Sequence, residues 1–258
     1  MKNKKIVRVG IVGVAGKMGK AIASLAIKDP EMLVKGGSEY PKHRLIGKDI
    51  GLILGEKSIN IPITSSLKSF FNNLDVVIEF GLEDATIMFL KEASRQNVAF
   101  LSGSTGLSSG TLKLMKKLSK NIPILWSPNM SIGANILKET SGELAFKLAN
   151  DFDIDITDIH HKKKRDIPSG TALSIKESID QLLKNNNLKK KINISAIRAG
   201  DSTGEHSVIF SGKGERIVIK HISTSRDIFA QGAIKISKWL YKQKRGFYNM
   251  KDYLAIKR

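Results

Sequence analysis

The residues from His160 to Thr171, HHKKKRDIPSGT, hold the densest set of reactive side chains in the chain. A histidine titrates near neutrality and can deliver a proton, and a lysine four positions later can share its site if the loop curls. Asp166-Ile167-Pro168 breaks any helix, and Ser169, Gly170 and Thr171 open the next one. Free amides and hydroxyls at such a start make a cradle for a carboxylate. A run of four basic residues is also what a surface tag for a polyanion looks like. Lys162, Lys163 and Arg165 suit that plainer reading of solvated charge. His160 and Lys164, placed between a histidine pair and a helix start, suit a site.

A second constellation lies near the N-terminus, where VRVGIVGVAGKMGKAI puts Gly13, Gly16 and Gly19 between a first strand and a first helix. Glycines permit the tight turn and close backbone approach that a pyrophosphate needs at a helix N-terminus. The spacing is GxxGxxG and not the common GxGxxG, so the motif needs support. Glu39 supplies some: it follows the second expected strand, where an acid can hydrogen-bond an adenosine ribose. Two later strand ends, Ser102–Gly106 and Trp126–Ser131, carry small polar residues at the same edge of the expected sheet. Together these segments indicate a dinucleotide site.

These groups need elements to position them. Apolar runs at Ile6–Val12, Leu33–Gly37, Leu74–Phe80, Val98–Ser102 and Ile122–Trp126 read as strands. Helical patterns at Lys17–Lys28, Ala85–Gln96 and Ser109–Lys120 alternate with them, which predicts a parallel sheet covered on both faces. The second half differs. Phe152–Asp158 alternates like a half-exposed strand, a helix is expected over Gly170–Lys184, and a strand over Ile192–Arg198. Glu205–Phe210 and Glu215–His221, joined by SGKG, read as a hairpin, so this half is α+β with an antiparallel sheet. Lys184–Lys191 reads as an exposed connector.

Composition bounds the partners. A chain of 258 residues with 41% hydrophobic and 26% charged residues can bury a substantial core. Its net charge of +19 raises the question of nucleic acid. The lysines are scattered, however, and aromatics are few and dispersed, so no nucleic-acid partner is expected. There is no cysteine, which removes disulfides and thiolate metal sites and fits a reducing cytoplasm. The basic, apolar N-terminus mimics a signal peptide, but Arg8 interrupts it and a glycine pattern follows. The longest uncharged stretch, Asn121–Leu137, contains two prolines, so no membrane span is expected.

HHKKKRDIPSGTA resembles the HHxxKxDxPSGTA signature of the dihydrodipicolinate (4-hydroxy-tetrahydrodipicolinate) reductases of diaminopimelate and lysine synthesis. GVAGKMG, GSTG, SPNMSIGAN, RAGDSTGEH and GFYNMKDYL extend the resemblance over nearly the whole chain. It implies an α/β fold with a Rossmann-like dinucleotide-binding domain over 1–129 and 230–258. The implied substrate-binding and oligomerisation domain, 130–229, is α+β with a mostly antiparallel sheet, and it implies a homotetramer. His160 is similar to the family's acid/base residue and Lys164 to its second proton donor. His161, Ser169, Gly170 and Thr171 would contact the carboxylates of a small dicarboxylate substrate. Gly13, Val14, Ala15, Gly16, Lys17, Met18, Glu39, Gly103, Ser104, Thr105, Ser127, Pro128, Asn129 and Met130 would contact NADH or NADPH. No metal is implied.

The chain departs from the family at two places near the cofactor. Where members commonly have Asp-Phe-Thr, it has Glu79-Phe80-Gly81, which removes a hydroxyl. After Glu39 stands Tyr40, not the arginine common in NADPH users, which predicts a preference for NADH. Two other classes compete: a related NAD-dependent reductase of another small acid, and a non-catalytic dinucleotide or nucleic-acid binder. The intact His160 and Lys164 weigh against both.

Overall fold

The computed structural model describes residues 6–255. They form two compact units, one built from residues up to Met130 together with those from Phe229 onward, the other from Ser131–Ile228.

In the first unit, β1 (Val7–Val12), α1 (Lys17–Lys28) and β2 (Met32–Ser38) are followed by two single-turn helices, α2 (Ile50–Ile53) and α3 (Leu67–Phe70). Then β3 (Val76–Glu79), α4 (Glu83–Arg95), β4 (Ala99–Ser102), α5 (Ser109–Leu118) and β5 (Pro123–Trp126) alternate. β3 and β4 are buried at every position, as strands covered on both faces must be. Phe70, Phe71, Phe89, Phe100 and Met115 form the centre of the core on one side of the sheet. Each such side chain contributes about 1.5–3 kcal/mol by leaving water.

The second unit starts with α6 (Ile132–Leu148), a helix of 17 residues that the sequence pattern does not predict. Ser131 caps it by accepting from Ala134 N–H at 3.2 Å. Its apolar residues are spread around the axis, so no single stripe announces it. β6 (Asp153–His160), α7 (Gly170–Asn185), β7 (Ile192–Arg198) and the hairpin β8 (Gly204–Gly212) and β9 (Glu215–Ser223) follow. Their sheet has the order β7-β6-β8-β9, antiparallel except for β6 with β7. Ile154, Ile156, Val208 and Phe210 face α6 and α7 in a second core. The other face carries Thr157, Ile159, Ser207, Ile209, Val218, Lys220 and Ile222; Val218 and Ile222 are 51% and 54% exposed.

β6 ends two residues later than the alternation alone suggested. His160 pairs with Arg198 of β7, so it is the last residue of a strand and not the first of a loop.

The chain then returns to the first unit through α8 (Asp227–Leu240), β10 (Gly246–Tyr248) and α9 (Met250–Leu254). β10 completes a six-stranded parallel sheet of order β10-β5-β4-β3-β1-β2. Lys238 of α8 fastens this return by donating to Asp29 at 2.6 Å and Glu31 at 2.9 Å. The expected α/β fold with a parallel sheet and a second, mostly antiparallel sheet is the fold observed. No described helix is long and apolar enough to cross a membrane.

Candidate active site

The first unit carries one half of the expected chemistry at the carboxyl ends of its strands. Gly13 has φ +67°, and its carbonyl accepts from Gly16 N–H at 3.0 Å, which tightens the turn into α1. A Cβ on Gly19 would lie 2.1 Å from the Gly13 oxygen, so helix and turn approach as closely as glycine alone permits. α1 has no side-chain cap and no acid in its first turn, which leaves its N-terminus favourable to an anion. Glu39 lies just past β2 and accepts from Ala15 N–H at 2.9 Å, joining the expected ribose acid to the glycine turn.

Val14 is fully buried, so only its backbone can meet a ligand, whereas Lys17 is exposed at the start of α1. Met18, Gly103, Ser104, Thr105, Pro128 and Met130 line a cleft of about 700 Å³. Ser127 and Asn129, either side of Pro128, do not line it; Ser127 Oγ donates to the Asn129 carbonyl at 2.8 Å. Glu79, which the sequence reading treated as a departure, is the buried hub beneath this cleft. It accepts from Thr86 Oγ1, Ser102 Oγ and Ser104 Oγ, each at 2.9 Å, and from the Gly81 amide. The cradle at Gly19, the ribose acid and the cleft together fit a dinucleotide.

The second unit carries the other half. After β6 the chain turns, with Lys164 N–H bonded to the His161 carbonyl at 3.1 Å. His161 N–H and Lys162 N–H bond to Ser202 and Gly200, so this turn lies against the loop between β7 and β8. Lys162, Lys163 and Arg165 are exposed, and Lys164 is half-buried. The Lys164 ammonium holds Asp166 at 2.9 Å. That ammonium, with help from the Gly170 amide and against a little burial, keeps the Asp166 carboxyl below its ordinary range. Thr171 is half-buried in the first turn of α7. His161 lies 3.3 Å from Arg226, a cation the sequence reading did not single out.

The expectation of free groups at Ser169 needs correction. Its amide donates to Asp158 at 2.8 Å, and its hydroxyl accepts from Ala172 N–H and lies 3.1 Å from His206. The side chain is buried, because it serves as the N-cap of α7.

His160 is also buried, with its Nδ1 2.9 Å from Asp158 Oδ1. The distance suits a hydrogen bond, but the N–H does not point along it, so the contact is one of charge. Burial is the main cause that lowers the pKa of His160, from near 6.5 to about 4. Asp158 pulls the other way, while His206, Lys164 and Arg198 add to the lowering. Asp158 itself is held well below the carboxylate range. Burial opposes this, but His206, the Ser169 amide and Arg198 outweigh it.

Asp158, His160 and His206 bring three donor atoms within 4.8 Å of one another, which resembles a metal-ligand set. The carboxylate, however, is already neutralised by Arg198 at 2.9 Å, which disfavours a further cation. Asp158 is not among the candidates read from sequence, and Arg198 and His206 figure there only as the two ends of RAGDSTGEH, without a role. The available signal was strand periodicity: Asp158 and His160 are two apart on β6, and β8 pairs His206 with Asp158.

Comparison with known proteins points to a single family. Models described as dihydrodipicolinate reductase, N-terminus and C-terminus, match residues 7–130 and 133–254. A 4-hydroxy-tetrahydrodipicolinate reductase of Syntrophobacter fumaroxidans is 36% identical, covering 98% of this chain and 100% of its own. One from Aquifex aeolicus is 38% identical over 97% and 99%. The solved dipicolinate-bound dihydrodipicolinate reductase of Paenisporosarcina sp. TG-14 superposes with a TM-score of 0.80 at 21% identity, covering 95% and 97%. A myo-inositol dehydrogenase of Corynebacterium glutamicum shares the fold at a TM-score of 0.61 and 11% identity, covering 96% and 92%.

Proposed function

Because the chain belongs to the dihydrodipicolinate reductase family, we propose that its two half-sites divide that family's reduction between them. The enzyme is an NAD(P)H oxidoreductase that converts 4-hydroxy-tetrahydrodipicolinate to tetrahydrodipicolinate, the substrate losing water as it gains a hydride and a proton. Reduced nicotinamide, when bound, supplies the hydride. The glycine turn and α1 N-terminus hold the pyrophosphate, Glu39 the adenosine ribose, and residues 103–105 and 127–130 the nicotinamide end.

Lys164 and the amides of Gly170 and Thr171, with His161, hold the carboxylates of the substrate. The observation that carries this reading is Asp166: one carboxylate of the chain itself is held by the Lys164 ammonium at 2.9 Å, with the Gly170 amide favouring its charge. A substrate carboxylate takes the same donors in its place. Lys164 then opposes the negative charge that develops as hydride arrives. His160 delivers the proton to the adjacent ring carbon. Alone it is neutral at pH 7, since burial holds its pKa at about 4. A dianion brought beside Lys164 raises that pKa, so proton and substrate are taken up together.

An assay with freshly made synthase product, run with NADH and NADPH in parallel, tests the reading; absence of turnover with both would overturn it. We expect NADH to be preferred, because Tyr40, 61% exposed, stands beside the ribose acid where an arginine would favour the extra phosphate. The second unit serves as the substrate and oligomerisation domain, and its open sheet face pairs copies into a homotetramer. The work is placed in the cytoplasm, which suits a chain without cysteine.

A further inference from the structure

A proton donor must be oriented as well as charged, and for His160 the orientation comes from within the sheet. Asp158 and His160, two apart on β6, both sit on its covered face. Asp158 is completely buried, a place for a carboxylate that demands full compensation. Its Oδ2 is fixed from two sides, by Ser169 N–H at 2.8 Å and Arg198 Nη2 at 2.9 Å. Arg198 Nη1 also donates to the Asp158 carbonyl at 3.2 Å, so the guanidinium grips backbone and side chain together. That leaves Oδ1 beside His160 Nδ1 at 2.9 Å and His206 Nε2 at 3.3 Å, contacts of charge and not aligned hydrogen bonds.

At the far edge of the imidazole stands Gly204. A Cβ there would lie 3.0 Å from His160 Nε2, and φ of +153° further disfavours any side chain. Glycine thus keeps clear the one ring nitrogen that Asp158 does not face.

We propose that Asp158 is the positioning residue of the proton donor: anchored through Oδ2 by Arg198 and Ser169, it keeps Oδ1 against His160 Nδ1 and so turns Nε2 toward the substrate through the gap left by Gly204. The inference rests on His160 being the donor. The groups facing His160 are Asp158 on its own strand, Arg198 of β7, His206 of β8 and Lys164 of the following turn, while His221 of β9 pairs with His206. Of these, Asp158 alone favours the protonated ring, and burial works against it.

The test compares Asp158→Asn, the charge-balanced double variant Asp158→Asn/Arg198→Met, and His160→Gln. Steady-state kinetics across pH are read together with NADH binding by fluorescence. For Asp158→Asn we expect kcat to fall at least about 100-fold, with KM and NADH binding within about threefold of the parent. The basic limb of its pH profile should move to lower pH, because the anion that keeps the ring protonated is gone. If the single variant fails to fold, the double variant removes both charges of the buried pair and should fold yet show the same loss in kcat. A folded variant of either kind with kcat within about threefold and an unmoved basic limb would overturn the positioning role. His160→Gln separates the two claims: if it keeps full turnover, the donor assignment fails and this inference with it. If it is inactive while Asp158→Asn stays fast, only the positioning role fails.

Discussion

Lys163 and Lys164 are neighbours of the same type, and only one of them is half-buried and bound to a carboxylate. Lys164→Ala should lower kcat/KM by about 100-fold or more, the scale of a lost acid or charge partner, and Lys163→Ala by less than about twofold. Steady-state kinetics on the two variants decide it. Asp166 offers a complementary test, because its carboxylate holds donors assigned to the substrate. Asp166→Asn should lower the substrate KM severalfold, and an unchanged or higher KM would remove Asp166 as a competitor. The candidate residues of the His160–Thr171 segment were legible because the histidine pair, the lysine and the helix start are close in sequence. The joint role of Asp158, Arg198 and His206 was not, although RAGDSTGEH begins and ends on the last two. Their significance depends on strand pairing that joins positions 40 and 48 residues apart, which no local pattern encodes.

Among the elements, α1 and α7 each begin at a turn proposed to bind a ligand, and they begin differently. α1 begins on Gly16 with no side-chain cap, whereas α7 begins on Ser169, whose hydroxyl receives the Ala172 amide. Ser169→Ala should therefore cost about 1 kcal/mol, seen as a lower urea midpoint. Gly19→Ala should instead abolish dinucleotide binding, since its Cβ has no room beside the Gly13 carbonyl; titration with NADH would show it. The strands of the first unit could be read from sequence because burial on both faces makes them continuously apolar. β6 could be read except at its end, where Asp158 and His160 are buried polar residues that imitate an exit to solvent. α6 could not be read, because its apolar residues do not gather on one stripe.

For the whole molecule, buried titratable groups make stability depend on pH. His160 is held near 4 in the fold and lies near 6.5 when unfolded, so above 6.5 it is neutral in both states and costs nothing. As pH falls from 6.5 to 4, only the unfolded chain takes up the proton, and stability declines by on the order of 3 kcal/mol. His221, lowered by burial and by His206, acts in the same direction. Asp158 stabilises the fold above the ordinary carboxylate value of 3.8 and ceases to do so as pH drops further. Melting temperatures between pH 7 and 4 should fall steadily, and His160→Gln should flatten the slope. The proposed homotetramer is tested at the same scale: Val218→Lys with Ile222→Lys should release monomers, detectable by light scattering, without disturbing dinucleotide binding.

The first sheet receives its sixth strand, β10, only after the whole second unit has been synthesised. Until β10 is made, the strands before Met130 can form at most a five-stranded sheet whose β5 edge is uncovered. They must wait through about a hundred further residues for α8 and β10. The inserted unit, continuous in sequence, can fold as it emerges. A chain stalled before Phe229 would thus present a finished guest within an unfinished host. Quality control would meet the protein first as an exposed strand edge.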